Sequence, residues 1–191
     1  MRIMTTKGKS KIFSIDPSLH HAGWCMFELD DKKKTAKYIA SDVQHTSEHI
    51  DEIEVLNAPG KPPHDANLYV ARIDEMSTDL IWHLEEYSTS RDSVTVLIEL
   101  PWGAQAFNQK DIEKLIALVY TLRMNFYMQE QVVQVYLVPV NVWKGQLAKE
   151  KTLKRINRRW GLEISQLDES DSIGIADYYI MEHLRYKPKV K

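Results

Sequence analysis

Four carboxylates stand out in this sequence by position rather than by number. Asp16 closes a short, largely apolar run, Lys11-Ile12-Phe13-Ser14-Ile15, and Glu99 closes a longer one, Ser93-Val94-Thr95-Val96-Leu97-Ile98. Asp168 and Asp171 lie three apart at the start of a helical pattern, so both can project from one face. Acids at such ends have an ordinary explanation, because a helix N-terminus favours negative charge. An apolar strand that runs into a glutamate is less easily dismissed. Gathering four anions is costly, so a divalent cation is their natural partner. Oxygen-only donors select Mg²⁺ or Mn²⁺ over zinc. Two such ions roughly 4 Å apart can activate a water and stabilise the leaving oxygen of a phosphodiester.

The second constellation is basic. Between Lys144 and Arg159 stand seven Lys and Arg, at 144, 149, 151, 154, 155, 158 and 159, against one acid, Glu150. A net charge of −2 over the whole chain argues against a simple nucleic-acid coat. A local basic face reads instead as a phosphate-binding surface, with Lys144, Lys149, Lys151, Lys154, Arg155 and Arg158 as expected contacts. The plain alternative is a solvated helix surface. Trp102 and Phe107 follow Glu99 in a loop, where an aromatic ring can stack on an unpaired base or fold back on the core. Trp143 is expected to pack and so to position Lys144. His20 and His21 are adjacent on an extended segment and point opposite ways, so no shared zinc site is expected, while a role near DNA stays open for one of them.

These side chains need elements to position them. Residues 11–16, 23–29 and 35–43 read as three strands in an antiparallel meander, with a turn at Asp30-Asp31-Lys32. A helix over about 67–87 carries Val70, Ile73, Ser77, Leu80, Ile81, Leu84 and Tyr87 on one stripe. Residues 93–99 and 132–140 are β-rich and apolar, as for strands buried on both faces. Between them a helix over about 109–129 buries Ile112, Leu115, Ile116, Val119, Leu122 and Phe126. Its second stripe, Ala117, Tyr120, Thr121, Met124 and Met128, is apolar where a surface helix normally shows charge, which predicts a partner subunit or, alternatively, cover from another helix of the same chain. Helices over about 147–159 and 168–184 complete the order β-β-β-α-β-α-β-α-α. That is an α/β domain with a mixed five-stranded sheet and helices on both faces. In such a sheet the first and fourth strands can be neighbours, setting Asp16 beside Glu99.

Composition bounds the rest. The 191 residues are 43% hydrophobic and 27% charged, which excludes a disordered chain. One domain spanning 1–191 is expected, with loose tails at 1–10 and 186–191. A lone cysteine, Cys25, excludes an internal disulfide and fits a cytoplasmic protein. The N-terminus is too polar for a signal peptide, and no apolar run suits a membrane span.

At the level of motifs the chain resembles the RuvC-type Holliday junction resolvases. Ser14-Ile15-Asp16-Pro17-Ser18, followed by Ala22-Gly23-Trp24, looks like that family's opening: an acid, a turn, then Gly-aromatic starting the next strand. Leu97-Ile98-Glu99 is similar to its second acid, and Asp168-Glu169-Ser170-Asp171-Ser172-Ile173-Gly174-Ile175-Ala176 to its terminal acid-x-x-acid motif. Val140-Asn141-Val142-Trp143-Lys144-Gly145, with Lys149 and Lys151 after it, resembles the lysine-bearing segment. In order, these blocks cover about residues 11–184.

The resemblance implies an RNase H-like fold and a Mg²⁺-dependent endonuclease, with Mn²⁺ able to substitute and two ions per site. It also implies a homodimer that cuts four-way DNA junctions by paired symmetric cuts. The implied metal ligands are Asp16, Glu99, Asp168 and Asp171. Lys144 and either Lys149 or Lys151 would lie near the scissile phosphate. Two departures, Ser18 where a glycine is usual and a shorter lysine segment, point to a phage-type or otherwise distant member. Three other readings compete. A flap- or fork-directed nuclease would use the same site. A non-catalytic DNA-binding module would keep the fold but does not need four acids. An actin-like phosphotransferase needs a glycine-rich phosphate loop, and residues 16–23 hold one glycine.

Overall fold

Alternation along the first strand decides the layout. Phe13 and Ile15 point to one face of the sheet and Ile12 and Ser14 to the other, so both faces must be covered. The structure, a computed structural model, describes residues 8–47, 65–101, 109–145 and 147–189. Its strands are β1 (Ser10–Asp16), β2 (His21–Asp30), β3 (Thr35–His45), β4 (Ser93–Leu100), β5 (Val132–Pro139) and the short β6 (Lys187–Pro188). The helices are α1 (Asp65–Tyr87), α2 (Gln109–Tyr127), α3 (Val140–Trp143), α4 (Lys149–Trp160) and α5 (Leu167–Tyr178), the last continued by a π-helical turn over Tyr179–His183.

The sheet runs β5-β4-β1-β2-β3-β6. β1–β2 and β2–β3 are antiparallel, and β1–β4, β4–β5 and β3–β6 are parallel. The first and fourth strands are therefore neighbours, as expected. Their register pairs Ser10 with Ser93 and Ile15 with Ile98, which leaves Asp16 and Glu99 level at the same sheet edge. One face carries α1 and α2 over Phe13, Trp24, Met26, Val96 and Ile98. The other carries α4 and α5 over Ile12, Phe27, Leu97 and Val138.

Several expectations need correction. Among the described residues the sheet has six strands, not five, and the tail expected to be loose from 186 docks. Tyr186 is buried, its hydroxyl donates to Asp31, and β6 pairs with β3. The strand expected to reach 140 stops at Pro139, because Val140 begins the four-residue α3. The core stripe of α2 runs through Leu118, Val119, Leu122 and Phe126, while Ile112 and Ile116 are only half-buried. On α1 Val70 is exposed and Met76 takes its place in the core. Among the described residues no helix is long and apolar enough to cross a membrane.

Candidate active site

Three elements deliver the four acids. Asp16 and Glu99 come from the ends of two parallel neighbours, β1 and β4. Asp168 and Asp171 come from the first turns of α5, which lies across β1 and β2. Close approach at Gly23 makes this docking possible: a Cβ there would stand 2.1 Å from the backbone oxygen of Asp168. Gly23 also pairs with Asp16 across β1–β2, so one missing side chain lets α5 settle against the acid-bearing strand. Beneath it, the Ser14 hydroxyl donates to the Ser172 carbonyl at 2.6 Å. Neither Asp168 nor Asp171 caps the helix; the N-cap is Gln166, with no side-chain bond.

The four acids line one cavity of about 550 Å³ with Lys144, Lys149, His20, His21 and Lys114, against apolar walls from Leu19, Pro101, Leu115 and Val140. Lys144 Nζ donates to Asp171 Oδ2 at 2.6 Å. Lys149 Nζ donates to Asp168 Oδ1 at 2.7 Å and lies 3.5 Å from Asp171 Oδ2. Between the two lysines left open by the sequence, the fold brings in Lys149 and leaves Lys151 exposed on α4.

Burial, then the charges of Glu99 and Asp171, holds the Asp16 carboxyl well above the usual carboxylate range. Glu99 is pushed up to about 7, chiefly by burial with Asp171 adding, against the Trp143 hydrogen bond and the two lysines. Asp168 goes the other way. Burial would raise it, but the hydrogen bond and charge of Lys149, with His21, hold it below its ordinary value.

Several sequence-predicted contacts lie elsewhere. Lys154, Arg155, Arg158 and Arg159 line a separate concavity of about 460 Å³ on α4. Arg159 Nη1 donates to the buried Asp177 at 2.7 Å, and Arg155 Nε stands 4.0 Å from the same carboxylate. Trp102 lies outside the described residues. Lys114 enters the cavity without any sequence expectation, and His21, open to a place near DNA but with no partner named, sets its Nε2 3.1 Å from Asp168 Oδ2. The sequence signal for His21 is its place at the start of β2, five residues after Asp16.

The donor set suits a hard divalent cation. It is all carboxylate oxygen, and the buried Oδ1 of Asp171 has no hydrogen-bond partner. The four carboxylates are arranged around the cavity rather than closed into a shell, and among the described residues no cluster of His, Cys, Asp and Glu does so. Here Lys144 and Lys149 supply the balancing positive charge.

Solved structures share this architecture. Thermus thermophilus RuvC in complex with a Holliday junction substrate superposes with a TM-score of 0.62 at 17% identity, covering 94% of this chain and 99% of that one. The chain has the RuvC fold. Thermus thermophilus RuvC in a further structure gives 0.57 at 16% identity, covering 93% and 98%. A fowlpox virus resolvase in complex with substrate Holliday junction DNA gives 0.54 at 13% identity, covering 91% and 99%. No family model matches the sequence, and no curated protein matches it. The likeness to RuvC thus lies in backbone topology, with nearly the full length of each chain aligned.

Proposed function

We propose that this protein is a metal-dependent endonuclease of the RuvC type that cleaves branched DNA, resolving Holliday junctions by paired cuts. One observation carries the reading. Asp16, Glu99, Asp168 and Asp171, from three separate elements, meet Lys144 and Lys149 around a single cavity at the sheet edge of a RuvC fold. The solved neighbours from Thermus thermophilus and fowlpox virus, each in complex with junction DNA, support the choice of substrate.

Asp16, Glu99, Asp168 and Asp171 would hold the cations, Mg²⁺ or Mn²⁺, two per site. When bound, these supply Lewis-acid chemistry for phosphodiester hydrolysis. The chain's own residues do the rest. Lys144 and Lys149 direct positive charge into the cavity, where a phosphate can exchange places with the carboxylates they now contact. His21 and Lys149 hold both oxygens of Asp168. The apolar walls restrict water around the reacting phosphate. A homodimer would present two such sites to a two-fold symmetric junction.

The test is cleavage of four-way junctions, flaps, forks and linear duplexes by the purified protein, with Mg²⁺ and with a chelator. Paired cuts in junctions that need Mg²⁺ are the expected result. Preference for flaps or forks would move the reading to a different branched substrate. Metal-independent binding without cleavage of any of them would establish a non-catalytic DNA-binding module instead.

A further inference from the structure

Trp143 is 4% exposed, yet its one polar atom points at the site. The indole Nε1–H donates to Glu99 Oε2 at 2.7 Å. Lys144, next in the chain, donates to Asp171. Two consecutive residues of one short segment thus address acids on two different elements, β4 and α5.

The ring is also confined. A Cβ on Gly174 of α5 would stand 2.5 Å from Cζ3 of the indole and 3.2 Å from Cγ2 of Thr152 on α4. Gly174 therefore makes room for the ring, and Trp143 packs in the same core as Ile156, Ile173 and Ile175. An indole that cannot turn sets the direction of its N–H. Glu99 is the acid that most needs such a guide. It is the one glutamate among four carboxylates, with one more rotatable bond than the three aspartates and more freedom to lose.

Resting on the nuclease reading above, we infer that Trp143 is a positioning residue that acts through Glu99, orienting its carboxylate for divalent-cation binding. Partners that orient ligating groups typically carry 10–100-fold in metal affinity.

The test is isothermal titration calorimetry of the DNA-free protein with Mn²⁺ as probe. Trp143→Phe keeps a packed ring and removes the N–H. It should weaken Mn²⁺ binding by about 10-fold or more and leave the thermal midpoint near that of wild type. Glu99→Asp withdraws the carboxylate from the indole, and adding Trp143→Phe to it should cause no further loss. Gly174→Ala displaces the ring without deleting the donor and should also weaken binding. If that variant fails to fold, the two Trp143→Phe backgrounds still decide. Unchanged affinity in Trp143→Phe, or the same fold-loss with Glu99 and with Asp at that position, overturns the inference. Wild-type protein that binds no Mn²⁺ overturns the metal reading and this inference together.

Discussion

Asp16 and Glu99 are held in an environment that disfavours their own charge. Burial and neighbouring carboxylates raise both, Glu99 to about 7. The sign of the consequence follows from linkage. A carboxyl whose folded value lies above its unfolded value costs stability once pH exceeds the unfolded value, and the cost stops growing above the folded one. For Glu99 the window runs from 4.5 to about 7. Metal-free protein should lose stability as pH rises through that range, and Glu99→Gln should flatten the loss. Above neutral pH the thermal midpoint of Asp16→Asn or Glu99→Gln should equal or exceed that of wild type; ~1 kcal/mol corresponds to about 2–4 °C at this size. Cleavage should meanwhile fall by orders of magnitude with junction binding retained. Midpoints well below wild type in both variants, or near-normal cleavage by both, would count against the assignment.

Two elements are set by electrostatic contacts remote from the cavity. At the far end of β1 and β4, Asp92 is nearly buried and accepts from the backbone N–H of Lys9 at 2.7 Å, from Lys11 Nζ at 2.9 Å and from the N–H of Thr89 at 3.0 Å. Burial would raise its pKa, but these donors win and hold it at about 2. The clamp ties the start of β4 to β1, and the parallel register carries that alignment along to Asp16 and Glu99. A depressed carboxyl stabilises above its unfolded value and loses that contribution as pH falls from 3.8 towards about 2. Asp92→Asn should cost about 2 kcal/mol in urea unfolding at neutral pH, with the gap to wild type closing across that acidic window.

Beyond Lys149, the proposed role of α4 is phosphate docking. Arg155 and Arg159 face Asp177, while Lys151, Lys154 and Arg158 form no ion pair among the described residues. Replacing Lys151, Arg155 and Arg158 together by Gln should lower the slope of log affinity against log salt by about 0.9 for each phosphate that is no longer neutralised. An unchanged slope and affinity would make this segment a solvated face.

At the scale of the molecule, α2 leaves an apolar surface uncovered. Tyr120, Met124 and Met128 are 51, 58 and 79% exposed, and Tyr127 extends the patch. Among the described residues most of the stripe read from the sequence as a partner surface is therefore exposed, with Thr121 half-buried. A two-fold contact here would be self-complementary. Tyr120→Glu with Met124→Glu should give a folded monomer that binds junctions and loses paired cutting. Sedimentation is the check. Wild type that sediments as a monomer, both alone and on junction DNA, would remove this surface from the account.

Much of the site was legible because strand and helix periodicity is local. An apolar run that ends in an acid predicts where the acid will emerge, so Asp16, Glu99, Asp168 and Asp171 could be picked out from residue type and spacing alone. The same local rules failed where long-range packing intervened. Periodicity placed Ile112 and Ile116 in the core, but the packing of α2 buries Leu118 instead. Choosing Lys149 over Lys151 likewise required the pose of α4 against α5. Trp143 read as packing, and it does pack. That its N–H meets Glu99, 44 residues earlier in the chain, depended on β5 lying beside β4 and on Gly174 yielding space. His21 met Asp168 for the same kind of reason, through the bare backbone of Gly23. Residue type and spacing determined which groups could do chemistry. Tertiary packing decided which met, because hydrogen bonds act over about 3 Å and no local pattern encodes the approach of distant segments.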